Sequence, residues 1–94
     1  MNRELQKEIK NSFPKIRKLF VREYIWEFSQ TPFAELKRYN YGMGTMIKLK
    51  VLKRNKRFYK LFVQNGVTDW DEMTMIIIYE FHQSLAEIVR KFMR

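Results

Sequence analysis

Met73, Ile76, Ile77, Phe81, Leu85, Ile88, Val89 and Phe92 recur with the period of an α-helix, and the pattern runs for twenty residues without a Gly or Pro. A stripe of that length needs other elements to cover it, so it sets the axis of the core. Its ends carry matching signals. Thr68 or Asp69 stands where an N-cap belongs, Asp71 and Glu72 load the first turn, and Arg90, Lys91 and Arg94 load the last, the charge order that a helix dipole favours. The 94 residues are one domain's worth of chain. The sequence therefore predicts an all-α protein, a compact bundle of four or five short helices in a single domain over 1–94.

The remaining segments must supply the covering helices. Over 3–11 only Leu5 and Ile9 are apolar, an i, i+4 pair among Glu4, Lys7 and Glu8, which reads as a marginal helix or a frayed tail. Ser12-Phe13-Pro14 reads as a restart, because Ser caps well and Pro is tolerated in a first turn. Ile16, Leu19, Phe20, Tyr24 and Phe28 then continue at helical spacing and predict a helix from about 14 to 28. Thr31 as cap and Pro32 behind it open a short helix, with Glu35 in its first turn and the run Tyr39 to Gly44 at its end. Asn65-Gly66 closes a further helix over about 55–65. Between these, Ile47-Lys48-Leu49-Lys50-Val51 alternates with period two and Phe58 to Val63 suits a strand, so the residues leave an α+β alternative open, with a basic hairpin over 46–63. Its turn, Lys53-Arg54-Asn55-Lys56-Arg57, contains no Gly, which counts against it.

Composition narrows the chemistry. The chain has no cysteine and a single histidine, His82, which removes disulfides, Cys-type zinc sites, thiol nucleophiles and multi-histidine metal sites. No cofactor and no metal is expected. The longest apolar run, Met75 to Tyr79, is five residues, against roughly 18 for a membrane span, and the start Met1-Asn2-Arg3-Glu4 lacks the apolar core of a secretory signal. A soluble, cytoplasmic protein is expected, with no membrane partner. His82, beside Phe81, reads as a hydrogen-bonding residue at a helix contact. Gly42-Met43-Gly44-Thr45 with Lys48 one turn on imitates a phosphate cradle, but it lacks the Gly-Lys-Ser/Thr ending of a P-loop and reads as a turn. Glu23 and Glu27, spaced i, i+4, read as surface ion-pairing acids, and Ser12, Ser29 and Ser84 have no base-bearing motif beside them. A non-enzymatic protein is expected.

A resemblance bears on the ambiguous middle. The features are the Tyr39-Asn40-Tyr41-Gly42-Met43-Gly44-Thr45 run followed by Ile47-Lys48, then Leu61-Phe62 ahead of Gly66, Asp71-Glu72-Met73, and Phe81-His82-Gln83-Ser84-Leu85. From about Phe33 to Leu85 the chain thereby resembles a family of small, predominantly helical proteins of bacteria and their phages known only as a domain of unknown function. It departs from the family pattern at Met46, where an aromatic is usual, and over Leu49 to Arg57, where the family's linker is less basic and contains Gly. The resemblance implies helix, loop, helix through 45–65.

Charge placement points to a partner. From Leu36 to Thr68 there are nine Lys/Arg and no acid, while the rest of the chain holds ten of each sign, so the whole net charge of +9 belongs to the middle third. Such a block attracts polyanions. Lys48, Lys50, Lys53, Arg54, Lys56, Arg57 and Lys60 are the candidate phosphate contacts, and Tyr59 among them is a candidate for stacking on a base. Phe58 and Phe62 read as core, Tyr41 and Tyr59 as either surface or half-buried, and Trp26 and Trp70 as core edge or interface anchors. The expected function is binding of RNA or a ribonucleoprotein effector complex. Its sharpest form is an anti-CRISPR inhibitor, a phage protein acting on an RNA-guided effector and its guide RNA. The alternative is a protein–protein interaction module, an immunity or antitoxin protein that binds an acidic protein partner.

Overall fold

Asn2 fixes where the chain becomes helical: its side-chain Oδ1 accepts a hydrogen bond from the Leu5 N–H at 2.9 Å, and its own N–H donates to Asn65 Oδ1 at 3.1 Å. The computed structural model describes residues 2–92; Arg94 and the side chain of Phe92 lie outside the described residues. From that cap, α1 (Arg3–Leu19) runs as one helix of 17 residues, so the frayed tail and the restart at Ser12-Phe13-Pro14 are both corrected. The reason is burial. Leu5, Ile9, Ser12 and Ile16 form an unbroken stripe into the core, while Pro14 lies on the exposed face, where the loss of one main-chain hydrogen bond is tolerated. Ser12 does not cap; its hydroxyl donates to the Ile9 carbonyl at 2.6 Å.

The chain breaks instead at Phe20 and Val21, both extended, and α2 (Arg22–Gln30) follows. Thr31 is not the cap of the next element. Its hydroxyl donates back to the Glu27 carbonyl at 2.9 Å and meets the Tyr39 hydroxyl at 2.8 Å, and Pro32 takes the cap position of a 3-10 helix, Phe33–Asn40, that buries Leu36 and Tyr39 at its natural spacing of three.

Met43 then opens a new helix inside the Gly42-Met43-Gly44-Thr45 stretch read as a turn, and the course through 45–65 is the helix, loop, helix that the resemblance implies. α3 (Met43–Ile47) passes without a break into a π-helical turn, Lys48–Leu52. The hairpin over 46–63 is excluded by the facing of its residues: in a strand Ile47 and Leu49 share a face, yet Ile47 is fully buried and Leu49 is 46% exposed. After Lys53-Arg54-Asn55, α4 (Lys56–Gln64) ends in the signal read from Asn65-Gly66. Gly66 has φ +82°, its N–H donates to the Val63 carbonyl and the Val67 N–H donates to the Phe62 carbonyl, both at 3.0 Å, with Val67 buried behind them. α5 (Trp70–Phe92) is capped by Asp69, whose carboxylate accepts from the Glu72 N–H at 2.9 Å.

The fold is all-α, five α-helices with one 3-10 and one π segment, and no strand occurs among the described residues. α5 is the axis, touching α1, α2, α3 and the 3-10 helix. Met73, Ile77, Ile78 and Phe81 are fully buried on it. Phe81 stacks on Phe28 at 5.7 Å, Phe28 meets Tyr39 edge-on at 4.9 Å, and Phe13 closes on Phe81 at 5.4 Å, so one aromatic cluster ties α1, α2 and the 3-10 helix to the axis.

Candidate nucleic-acid interface

The basic side chains point outward because their neighbours are drawn in. Val51 and Leu52 of the π turn and Phe58, Leu61 and Phe62 of α4 enter the core. That leaves Lys53, Arg54, Lys56, Arg57 and Lys60 exposed, with Lys48 and Lys50 half-buried at their margin. The connecting turn is held at both ends: the Lys53 N–H donates to the Lys48 carbonyl at 2.9 Å, and Asn55 Oδ1 accepts from the Phe58 N–H at 3.1 Å as the N-cap of α4. Asn55, weighed in the sequence only as a hairpin residue, is thus a helix cap, and its place just before the apolar period of Phe58, Leu61 and Phe62 is the signal that identifies it.

Electrostatics divides the seven cations. Lys48 donates a short hydrogen bond to Asp71, and this contact, with the lysine's charge behind it and a smaller hydrogen-bond contribution from Asn40, holds the Asp71 carboxyl below the usual carboxylate range. Arg57 lies 3.9 Å from Glu8 on α1. Lys50, Lys53, Arg54, Lys56 and Lys60 have no carboxylate within 4 Å among the described residues. The unneutralised charge therefore gathers around the 53–55 turn and its flanks. Lys37 and Arg38, the first cations of the acid-free run, sit apart on the 3-10 helix, where Arg38 pairs with Glu35 at 3.9 Å and lies over the Tyr39 ring.

Tyr59 is half-buried, and one face of its ring stacks on Trp70 at 4.8 Å with the planes 28° apart. The free aromatic at this end is the pair, with Trp70 39% exposed. Tyr41 is 85% exposed.

The other sequence candidates resolve into structure. His82 Nε2 lies 2.8 Å from the Thr31 carbonyl, and the ring stands edge-on to Phe28 at 5.3 Å, fastening α5 to the end of α2. Gly44 is not part of a cradle. It is buried in α3, where an added Cβ would stand 3.1 Å from Thr74 Cγ2 on α5 and 3.1 Å from Asn40 Oδ1, so it permits two helices to approach. Glu23 and Glu27 are exposed and have no cation within 4 Å among the described residues, which corrects their reading as ion-pairing acids. Among the described residues no group of three or more His, Cys, Asp or Glu could hold a metal ion, and no helix is long and apolar enough to cross a membrane. The sequence reading missed Glu8 and Asp71 as partners of the basic block. Asp71 is legible as a helix-start acid, but its pairing with a residue twenty-three positions away is set by tertiary packing.

Comparison with curated proteins and with solved structures gives no match. A family match is found, and it covers more of the chain than the motifs from Phe33 to Leu85, reaching back through the 3-10 helix and α2 into α1. Residues 5–85 match the model described as Domain of unknown function (DUF6794), and the chain belongs to that family.

Proposed function

We propose that the protein binds RNA, free or within a ribonucleoprotein, along the face formed by the π turn, the 53–55 turn and the start of α4, and that its role is binding rather than catalysis. One observation carries the reading: Lys53 and Arg54 on the capped 53–55 turn, with Lys50 before it on the π turn and Lys56 and Lys60 after it on α4, have no carboxylate within 4 Å among the described residues. A solubilising surface mixes both signs, whereas a surface that gathers one sign releases counterions when it meets a polyanion. The Tyr59–Trp70 pair beside the cations offers an aromatic edge to an unpaired base, a feature of single-strand binding. The finer form is a phage-encoded anti-CRISPR inhibitor that engages an RNA-guided effector through its guide RNA, and it rests on analogy with small basic inhibitors.

The test is fluorescence anisotropy with a labelled single-stranded RNA across a salt series. Five phosphate contacts at roughly −0.7 each give a slope of log K against log[salt] of about −3.5. Replacing Lys50, Lys53, Arg54 and Lys56 with Gln keeps the helical propensity of the segment and should cut the slope to about −0.7, weakening binding across all RNA sequences. For the finer form, the same variant loses inhibition of target cleavage by a guide-loaded effector. Affinity unchanged in the four-Gln variant refutes the reading, and a salt-tolerant one-to-one complex with an acidic protein puts the alternative in its place.

A further inference from the structure

The apolar period of α5 outlasts the core that covers it. Leu85 is 8% exposed, but Ile88, one turn on, is 40% exposed, and Trp26 on the neighbouring α2 is 60% exposed. Between them lies a groove of about 430 Å³, walled by the end of α1, by α2 and by the last third of α5. Its apolar surface comes from Phe20, Ile25, Trp26, Leu85, Ile88 and Val89. We propose that this groove docks an amphipathic helix of a partner protein whose apolar stripe is flanked by acidic residues. The proposal goes beyond the RNA-binding reading and does not rest on it.

Three features choose this occupant. The first is geometry: α2 presents Arg22, Ile25, Trp26 and Ser29 and α5 presents Leu85, Ile88 and Val89, two rows at i, i+3, i+4 spacing between which the ridge of a third helix fits. The second is exposure, since Trp26 and Ile88 at the rim are 60% and 40% exposed and leave apolar surface on both helices for a chain segment to cover. The third is charge. Arg17 and Arg22 line the groove and neither has a carboxylate within 4 Å among the described residues. Glu27 belongs to the other side of Trp26, which divides the groove from a second concavity lined also by Gln30, Thr31, Pro32 and Arg38. Acidic flanks on the incoming helix would meet the two guanidinium groups in the planar geometry that arginine favours for carboxylates. Trp26, exposed and central, has the character of an interface anchor.

The groove and the basic turn are far apart. Trp70, beside Tyr59, and Val89, in the groove, stand near opposite ends of α5, and nineteen residues at about 1.5 Å each separate them by roughly 29 Å. Substitutions at one surface therefore leave the other intact.

The test uses the full chain carrying Trp70→Phe, which makes Trp26 the sole tryptophan. The probe is a synthetic helical peptide of about sixteen residues with leucines at i, i+3, i+4 and i+7 flanked by glutamates. Titration should shift Trp26 emission to the blue and saturate at one equivalent. Arg17→Glu with Arg22→Glu should weaken binding by at least tenfold, and so should replacing the peptide's glutamates with lysines. Ile88→Glu, at an exposed position, should abolish the shift while the circular dichroism of the protein is unchanged. No shift, or equal shifts with the glutamate and lysine peptides, overturns the proposal. So does a response to dodecanoate without one to the peptide, which assigns the groove to a small amphiphile, or a dimer in sedimentation that Trp26→Ala dissolves, which assigns it to a second copy.

Discussion

Asp71 joins two roles on one carboxylate. It sits in the first turn of α5, where the helix dipole favours a negative charge, and it accepts a hydrogen bond from Lys48 on the π turn. Because the folded carboxyl titrates below its ordinary value, its contribution to stability is fully present above that ordinary value and is lost as pH falls through the lower folded one. The prediction is direct: in side-chain carbon NMR, Asp71 titrates below the ordinary aspartate range, and Lys48→Met, which keeps the aliphatic stem, returns it toward that range. An Asp71 titration unmoved by Lys48→Met would remove the lysine as the cause. At this scale the sequence was informative about residue types and silent about pairs. The helix-start role of Asp71 and the packing role of His82 follow from neighbours along the chain. The contacts of Lys48 with Asp71, Arg57 with Glu8 and His82 with the Thr31 carbonyl join distant positions that no local spacing encodes.

Among the elements, α3 is the one whose close packing on α5 depends on a glycine. Gly44 faces α5 at Thr74, and a methyl group there would lie 3.1 Å from Thr74 Cγ2, 3.1 Å from Asn40 Oδ1 and 3.4 Å from the Tyr39 carbonyl oxygen. Asn40 Oδ1 is itself buried, without a hydrogen-bond partner among the described residues. Gly44→Ala gains helix propensity but overpacks a close crossing, and a net loss of about 1–3 kcal/mol is expected in chemical denaturation. Thr74→Ser removes the clashing methyl and keeps the hydroxyl that donates to the Trp70 carbonyl at 2.7 Å, so the double variant should recover part of the loss. Full additivity of the two changes would mean that the crossing is not what Gly44 serves. The two glycines were visible in the sequence, and their meaning as punctuation was the natural local reading; that one of them marks a helix contact depends on what packs opposite. Pro14 misled for the same reason. Local rules place a helix start there, whereas the buried stripe from Leu5 to Ile16 carries the helix through it. The 55–65 helix and α5 were legible because cap, period and C-terminal signal all agree along one stretch of chain.

At the scale of the whole molecule, the question is what a net charge of +9 gathered in one third of the chain does to stability. The principal extents are 38, 26 and 24 Å. At about 0.01 M salt the screening length is roughly 30 Å, so every cation on the molecule feels the others; at about 0.15 M it falls to roughly 8 Å and only neighbours interact. Two opposing terms respond. Ion pairs weaken as salt rises, but those of Arg57 with Glu8 and Arg38 with Glu35 are long, at 3.9 Å, and contribute little, which leaves the close pair of Lys48 with Asp71 as the one attraction set against the block among the described residues. Repulsion among Lys50, Lys53, Arg54, Lys56 and Lys60 weakens as well, and these five have no acid within 4 Å among the described residues to offset it. Repulsion therefore dominates, and sodium chloride should stabilise the fold. If relief of that repulsion amounts to about 1 kcal/mol, Tm rises by roughly 4–8 °C for a domain of this size between low and physiological salt. The four-Gln variant should start with a higher Tm at low salt and show a flatter rise, because most of the unpaired charge is gone while the core is untouched. Chloride rather than sulfate is the salt to use, since sulfate also strengthens apolar burial and would raise Tm in both proteins alike. A Tm that falls with sodium chloride, or a four-Gln variant with the same salt dependence as the parent, would mean that attraction across the surface outweighs the block's self-repulsion.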